Sequence, residues 1–295
     1  MIKRVAPFLI TILLACSEGT GPGGPPTIVF MSFGSSTSPY GRDPDIYVMD
    51  SLGRDVVNLT RRVGADDDPA WSADGSKIIF SRRDSSSLAH LFLMNPDGSG
   101  LTQLTFGQSS EWGPAWSPNG AKIAFIEGSR LYVMNADGTG ITPLLTDAFY
   151  DDHPSWSPDG RIVFFSNRGA SGQSAAHIYV INADGSGLTS IGDTSATEET
   201  PSWSPDGRKI AFASNRDTRV FQIWVMNPDG SSPVRLTSDS GGNGEPAWSP
   251  DGSKIVFASF RDHDIEIYVM NADGSRQTRL THMLGTYEHW PHWRP

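Results

Sequence analysis

The sequence predicts an all-β, six-bladed propeller with four antiparallel strands per blade, and three observations carry that expectation. The tetrapeptide Pro-x-Trp-Ser recurs along the chain. Five of its copies are followed by apolar runs of strand length, bounded by Asp-Gly turns. The two ends of the chain carry complementary parts of one further unit.

The repeats centre on Trp71, Trp116, Trp156, Trp203 and Trp248, and a variant copy, Pro291-His-Trp293-Arg, lies at the end. Successive tryptophans are 45, 40, 47, 45 and 45 residues apart, the length of one four-stranded blade. The Trp segment is the first strand, ending in a turn such as Pro158-Asp159-Gly160. The second strand is a short apolar run, as in Lys77–Phe80 or Arg161–Phe164, and the third another, as in Leu91–Met94 or Ile178–Ile181. Unbroken apolar runs need cover on both faces, as a sheet between two neighbouring sheets has. A weaker fourth strand ends in Leu-Thr, for example Leu104-Thr105.

Before Trp71 the chain supplies Thr27–Phe30, Ile46–Met49 and Asn58–Thr60, which read as strands two to four without a first strand. After the fifth unit it supplies Pro291–Trp293, a first strand with nothing following. The sixth blade is therefore expected to be shared between the termini, closing the array into a ring. The repeated tryptophans are expected in the core, where replacement by alanine costs about 3–5 kcal/mol.

Composition agrees. With 31 Gly and 21 Pro among 295 residues and only 19% charged residues, the chain does not read as a coiled coil or helix bundle. Its 9 Trp, 14 Phe and 7 Tyr supply more buriable area than a disordered chain carries. A net charge of −10 argues against nucleic acid as a partner. A single cysteine excludes an internal disulfide and a Cys-x-x-Cys zinc site.

That cysteine lies in a distinctive place. Lys3 and Arg4 precede an apolar stretch, Val5 to Leu14, too short to span a bilayer. It runs into Leu13-Leu14-Ala15-Cys16, which resembles a bacterial lipobox. The resemblance implies a signal peptide over residues 1–15, lipidation of Cys16 and attachment to a membrane through acyl chains. An ordinary secretory signal with a chance cysteine is the alternative. Residues 16–26 (CSEGTGPGGPP) read as a flexible tether, and 27–295 as the propeller.

The unit Pro-x-Trp-Ser-Pro-Asp-Gly…Ile-x-Phe…Ile-Tyr-Val-Met-Asn-x-Asp-Gly…Leu-Thr resembles the repeat of TolB-type six-bladed β-propellers, over residues 27 to 295. Similar blades occur in the propeller domains of prolyl oligopeptidase-like proteases. The likeness is specific for fold and weak for function. TolB also carries an N-terminal α/β domain and is soluble in the periplasm, so its role is not expected to carry over whole. Serine hydrolase activity is not expected either: no Gly-x-Ser-x-Gly occurs, and the nearest approach is Gly172-Gln-Ser174-Ala-Ala176.

Five residues before each repeated Trp stand Asp66, Glu111, Asp151, Glu198, Asn243 and Glu288. Placed at one mouth of the channel they would form an acidic ring, supplemented by Asp67, Asp68, Asp152, Glu199 and Glu245. Oxygen ligands in that density suit Ca2+, with Asp66, Glu111, Asp151, Glu198 and Glu288 as the ligand set. The alternative is an acidic rim that caps turns or pairs with Arg82, Arg168, Arg216 and Arg261. His153 and His289 lie in the same segments and extend the set to a transition metal. Trp112 and Trp290, outside the repeat position, are expected as exposed aromatic contacts.

The function expected is a noncatalytic scaffold of the bacterial cell envelope, lipid-anchored and monomeric, that binds a protein or peptide without a required cofactor. A metal-dependent lyase, lactonase or hydrolase at the channel mouth is the competing expectation.

Overall fold

Phenylalanine decides the middle of every blade. In a computed structural model of the chain, which describes residues 27–34, 43–61, 64–83, 87–169, 176–283 and 285–295, the apolar runs fold as second and third strands of six four-stranded antiparallel sheets. The second strands are Ile78–Arg83, Lys122–Glu127, Arg161–Ser166, Ile210–Ser214, Lys254–Asp262 and Ile28–Gly34. Each centres on a phenylalanine with no exposed surface: Phe80, Phe125, Phe164, Phe212, Phe257 and Phe30. Its cross-strand partner on the third strand is again aromatic, as in Phe80–Phe92 and Phe257–Tyr268, with centroids 6.1 and 5.8 Å apart.

The first strands, Ala65–Trp71, Glu111–Trp116, Asp151–Trp156, Glu198–Trp203, Asn243–Trp248 and Thr286–Trp293, begin blades 1 to 6 and line the central channel. The ring closes as the termini imply. Thr286–Trp293 pairs antiparallel with Ile28–Gly34, in a register that sets Ile28 opposite Trp293, and the sixth sheet continues through Asp45–Met49 to Val57–Asn58. Trp293 packs with Ile28, Phe30 and Tyr47 of its own blade and with Val256 and Ile267 of blade 5. Trp71 likewise packs between blades 6 and 1. The tryptophans are therefore blade-to-blade packing, although Trp116, Trp156 and Trp248 keep part of their surface exposed.

The Leu-Thr pairs differ from expectation. Each fourth strand is two residues long and, in blades 1, 4, 5 and 6, stops just before the pair; in blade 1 it is Thr102–Gln103. The threonine lies beyond it and its hydroxyl accepts the backbone N–H that opens the third strand: Ile46 to Thr60 at 2.9 Å, Leu91 to Thr105 at 2.9 Å, Ile223 to Thr237 at 2.9 Å and Ile267 to Thr281 at 2.8 Å. The side chain extends the ladder by one bond where the backbone has turned away. Blades also touch through glycine. Gly98, with φ of 82°, lies against the preceding blade's Leu59 carbonyl, where a Cβ would come within 2.8 Å of the oxygen.

The signal peptide, Cys16 and tether expected from the sequence lie outside the described residues.

Candidate functional site

A proline inside a strand cannot donate to the ladder, so it is tolerated only where the ladder is already broken. Each first strand breaks at that point. Asp67 faces Ser81 and Ala70 faces Ile79, leaving Asp68 and Pro69 together opposite Phe80. The same two-against-one bulge puts Gly113–Pro114 opposite Phe125, His153–Pro154 opposite Phe164, Thr200–Pro201 opposite Phe212, Glu245–Pro246 opposite Phe257 and Trp290–Pro291 opposite Phe30. The residue ahead of each proline is left-handed in all six blades: φ is 50° at Asp68, 59° at Gly113, 49° at His153, 51° at Thr200, 57° at Glu245 and 52° at Trp290. Five of these are not glycine and one is β-branched, so the strain is held by the surrounding ring.

The six bulge residues form the floor of a funnel with a volume of about 420 Å3 at the end of the channel where the first strands finish. Above them the six bulge prolines and the repeated tryptophans form the wall, and among the described residues no lysine or arginine lines it. Across the floor, His153 of blade 3 stacks on Trp290 of blade 6, with centroids 4.2 Å apart. Phe165 stacks on the imidazole as well, at 5.5 Å. The stacked rings cross the channel at this level.

Charge gathers around this stack. His153 Nδ1 lies 3.1 Å from Asp152 Oδ1, yet neither ring nitrogen makes a hydrogen bond among the described residues. Burial favours the neutral imidazole, but the Asp152 carboxylate outweighs it and holds His153 up at about 9. Asp152 also accepts the Trp112 indole N–H at 3.0 Å and the Tyr150 hydroxyl. Asp68 accepts the Gly113 N–H at 3.1 Å; burial and the neighbouring Asp67 charge push it up to about 8. Glu245 binds His289 Nδ1 at 2.8 Å and the Trp290 N–H at 2.6 Å.

The structure therefore splits the acidic residues into two groups. Asp68, His153, Glu245 and Trp290 meet at the funnel floor, with His289 bound to Glu245. The position five before Trp does not join them: Asp66, Glu111, Asp151, Glu198 and Glu288 are buried at the far end of the first strands, turned into the blades. Asp66 takes a two-pronged ion pair from Arg82, at 2.5 and 2.8 Å. Arg168 reaches Asp151 at 2.6 Å, Arg216 pairs with Glu198, and His90 Nδ1 meets Glu111 at 2.7 Å. Glu288 is bound by the Ser32 hydroxyl at 3.1 Å and by Thr286, and burial pushes it up to about 8. The arginines lie over the aromatic pairs, Arg82 being 5.2 Å from Phe80 and 5.3 Å from Phe92. The acidic ring expected at one mouth is thus not formed by this position: Asp66, Asp151 and Glu198 pair with arginines that cap the blade cores, Glu111 is held by His90, and Glu288 by the Ser32 and Thr286 hydroxyls. No three acidic, histidine or cysteine side chains gather as a metal-binding set among the described residues.

Trp112 and Trp290 also differ from expectation. Both are half-buried, Trp112 tied to Asp152 and Trp290 to the imidazole. Gly113 and Thr200 complete the floor and were not singled out from the sequence. The signal that points to them is the proline immediately after each.

The TolB beta propeller domain family matches this chain over residues 35–191 and 174–295. The chain belongs to that family. TolB from Acinetobacter baumannii is 19% identical with a TM-score of 0.77, over 91% of this chain and 67% of that one. The putative TolB from Agrobacterium tumefaciens is 21% identical with a TM-score of 0.69, over 92% of this chain and all of that one. An oligogalacturonate lyase from Vibrio parahaemolyticus is 15% identical with a TM-score of 0.57, over 88% and 75%. At these identities the likeness of this TolB-type propeller to solved structures is one of fold. No curated protein matches it in sequence.

Proposed function

We propose that this TolB-type propeller is a noncatalytic scaffold of the bacterial cell envelope that holds a segment of a partner protein in its funnel. The observation that carries the reading is the funnel itself: two kinds of rigid ring, proline and tryptophan, wall a volume of about 420 Å3, enough for a few side chains of a projecting segment. The wall is preorganised, so little ordering is needed on binding. In this reading Cys16 carries the lipid, and 16–26 lets the domain stand off the membrane.

Filling the funnel tests this. Ser202 lines the wall, and it pairs with Ala211 in the ladder through its backbone, which a side-chain substitution keeps. Immobilised wild type and Ser202→Trp are challenged with envelope extract, with folding of both verified by melting. A partner held by wild type and lost by the variant supports the reading; identical partner lists sink it. Labelling with a radioactive fatty acid, present in wild type and absent in Cys16→Ser, checks the anchor.

A metal-dependent enzyme acting at the channel is the second reading. Its support is the fold shared with an oligogalacturonate lyase and the His153, Asp68 and Glu245 groups on the floor. Metal analysis of protein purified without chelator separates the two.

A further inference from the structure

The funnel wall and its floor differ in chemistry. The wall is proline, tryptophan and small residues, and the floor exposes Asp68 and Glu245 to a cavity whose lining, among the described residues, contains no lysine or arginine. The cations nearest the floor acids are imidazoles: His289 is bound to Glu245, and His153 lies beside Asp152 and on the Trp290 ring, its charge also acting on Asp68. Asp68 has the Gly113 N–H as its partner on one oxygen and, among the described residues, no ion pair. Gly113, between Asp68 and His153 in the ring, contributes no side chain to the floor.

We infer that the funnel seats a lysine side chain projecting from the partner polypeptide, its methylene stem against the proline ring and its ammonium on Asp68. The inference rests on the binding reading above. An unbranched stem with a compact charged tip suits an apolar wall with an acid on its floor. The His153 and Trp290 rings cross the channel at the floor, which favours a single side chain over a threaded chain. Glu245 adds negative potential from two blades away. An arginine in place of lysine would have to bring a planar, forked head onto a floor already crossed by two rings.

The test uses acetylated, amidated pentapeptides of alanine whose central residue is lysine, norleucine or glutamate, titrated calorimetrically into the full propeller, with n-butylamine alone as a fourth probe. The lysine peptide is expected to bind at least about tenfold more tightly than the norleucine peptide, as one charge-assisted hydrogen bond provides. Asp68→Asn, whose side chain tolerates the left-handed backbone, should abolish that difference and leave norleucine binding unchanged. Affinity for the lysine peptide should also rise from pH 6 to 9. Asp68, pushed up to about 8, loses its proton in that range; Asp67, Asp152, His153, Glu245 and His289 face it, and loss of the imidazolium proton works in the same direction. Equal affinity for the lysine and norleucine peptides, preference for glutamate, or no binding of the lysine peptide would overturn the inference. Butylamine binding as tightly as the peptide would overturn it in favour of a small free amine. Because Ser202→Trp reads partner capture regardless of charge, the binding reading survives or fails separately.

Discussion

His153 and Trp290 come from opposite blades of a six-membered ring, yet their side chains stack 4.2 Å apart over the channel axis. Each stands on a left-handed backbone, which is what turns both rings inward. The contact joins the third blade to the blade that closes the ring, and so couples distant parts of the chain. In a double-mutant cycle, His153→Ala and Trp290→Ala should show a coupling of about 1 kcal/mol, the usual range for a ring pair with cationic character. Additive losses in denaturant unfolding would show that the stack contributes nothing.

Gly113 isolates the conformational part of the bulge. A Cβ there would meet Asp152 Oδ1 at 3.5 Å, an ordinary contact, so Gly113→Ala should cost about 1 kcal/mol from its φ of 59° alone. Chemical denaturation measures it. A neutral substitution would mean the left-handed bulge is not retained in solution.

Ring closure rests on one strand. Trp293 is buried between blades 5 and 6, and Trp293→Ala should destabilise by about 3–5 kcal/mol. Scanning calorimetry should still show one cooperative transition at a lower temperature. Loss of blade 6 alone, seen as a separate early transition, would contradict a ring that melts as a unit.

Glu198 is fully buried and depends on Arg216 and the Asp193 N–H. Burial still pushes it up to about 7, against the Arg216 charge. Arg216→Met leaves a buried acid without its countercharge and should cost about 3–5 kcal/mol. Adding Glu198→Gln to the same protein should recover a large part of that loss. If the double variant is no more stable than the single one, the loss comes from the arginine's packing over Phe212 and Trp224.

His292 accepts the Trp71 N–H on Nδ1 at 3.3 Å, and burial lowers its proton affinity to about 4. The ordinary value of 6.5 applies to the unfolded chain. As pH falls from about 6.5 to about 4, the unfolded chain takes up a proton that the folded ring refuses, so this residue's contribution to stability is present above that window and lost within it. His292→Ala, which places at blade 6 the residue found at Ala70, Ala115 and Ala247, should lose less melting temperature between pH 7 and 4 than wild type. Parallel curves would remove His292 from the acid sensitivity of the fold.

The blades were legible in the sequence because their spacing, the Ile-x-Phe and Tyr-Val-Met runs and the Asp-Gly turns all report one repeated unit, and the closure because Thr27–Phe30 and Pro291–Trp293 are its two missing parts. The site was legible only by residue type. Asp66 and Asp68 are two residues apart and equally acidic, yet one carboxylate enters the blade and the other the funnel. A bulge decides that, and a one-residue shift in register reverses which face a side chain takes. The partner of Asp66 is Arg82 on the next strand, a pairing that spacing allows but does not require. Proline at position two before each tryptophan carried the missing information, since a strand interior accepts it only at such a break.

Ile28–Gly34 leaves the ribosome long before Thr286–Trp293, the neighbour it must pair with. Through most of synthesis, and through any transport of the unfolded chain, this strand has one side open to any extended peptide that meets it. The order of strands in the sixth sheet therefore makes the last strand to be made the one that covers the first.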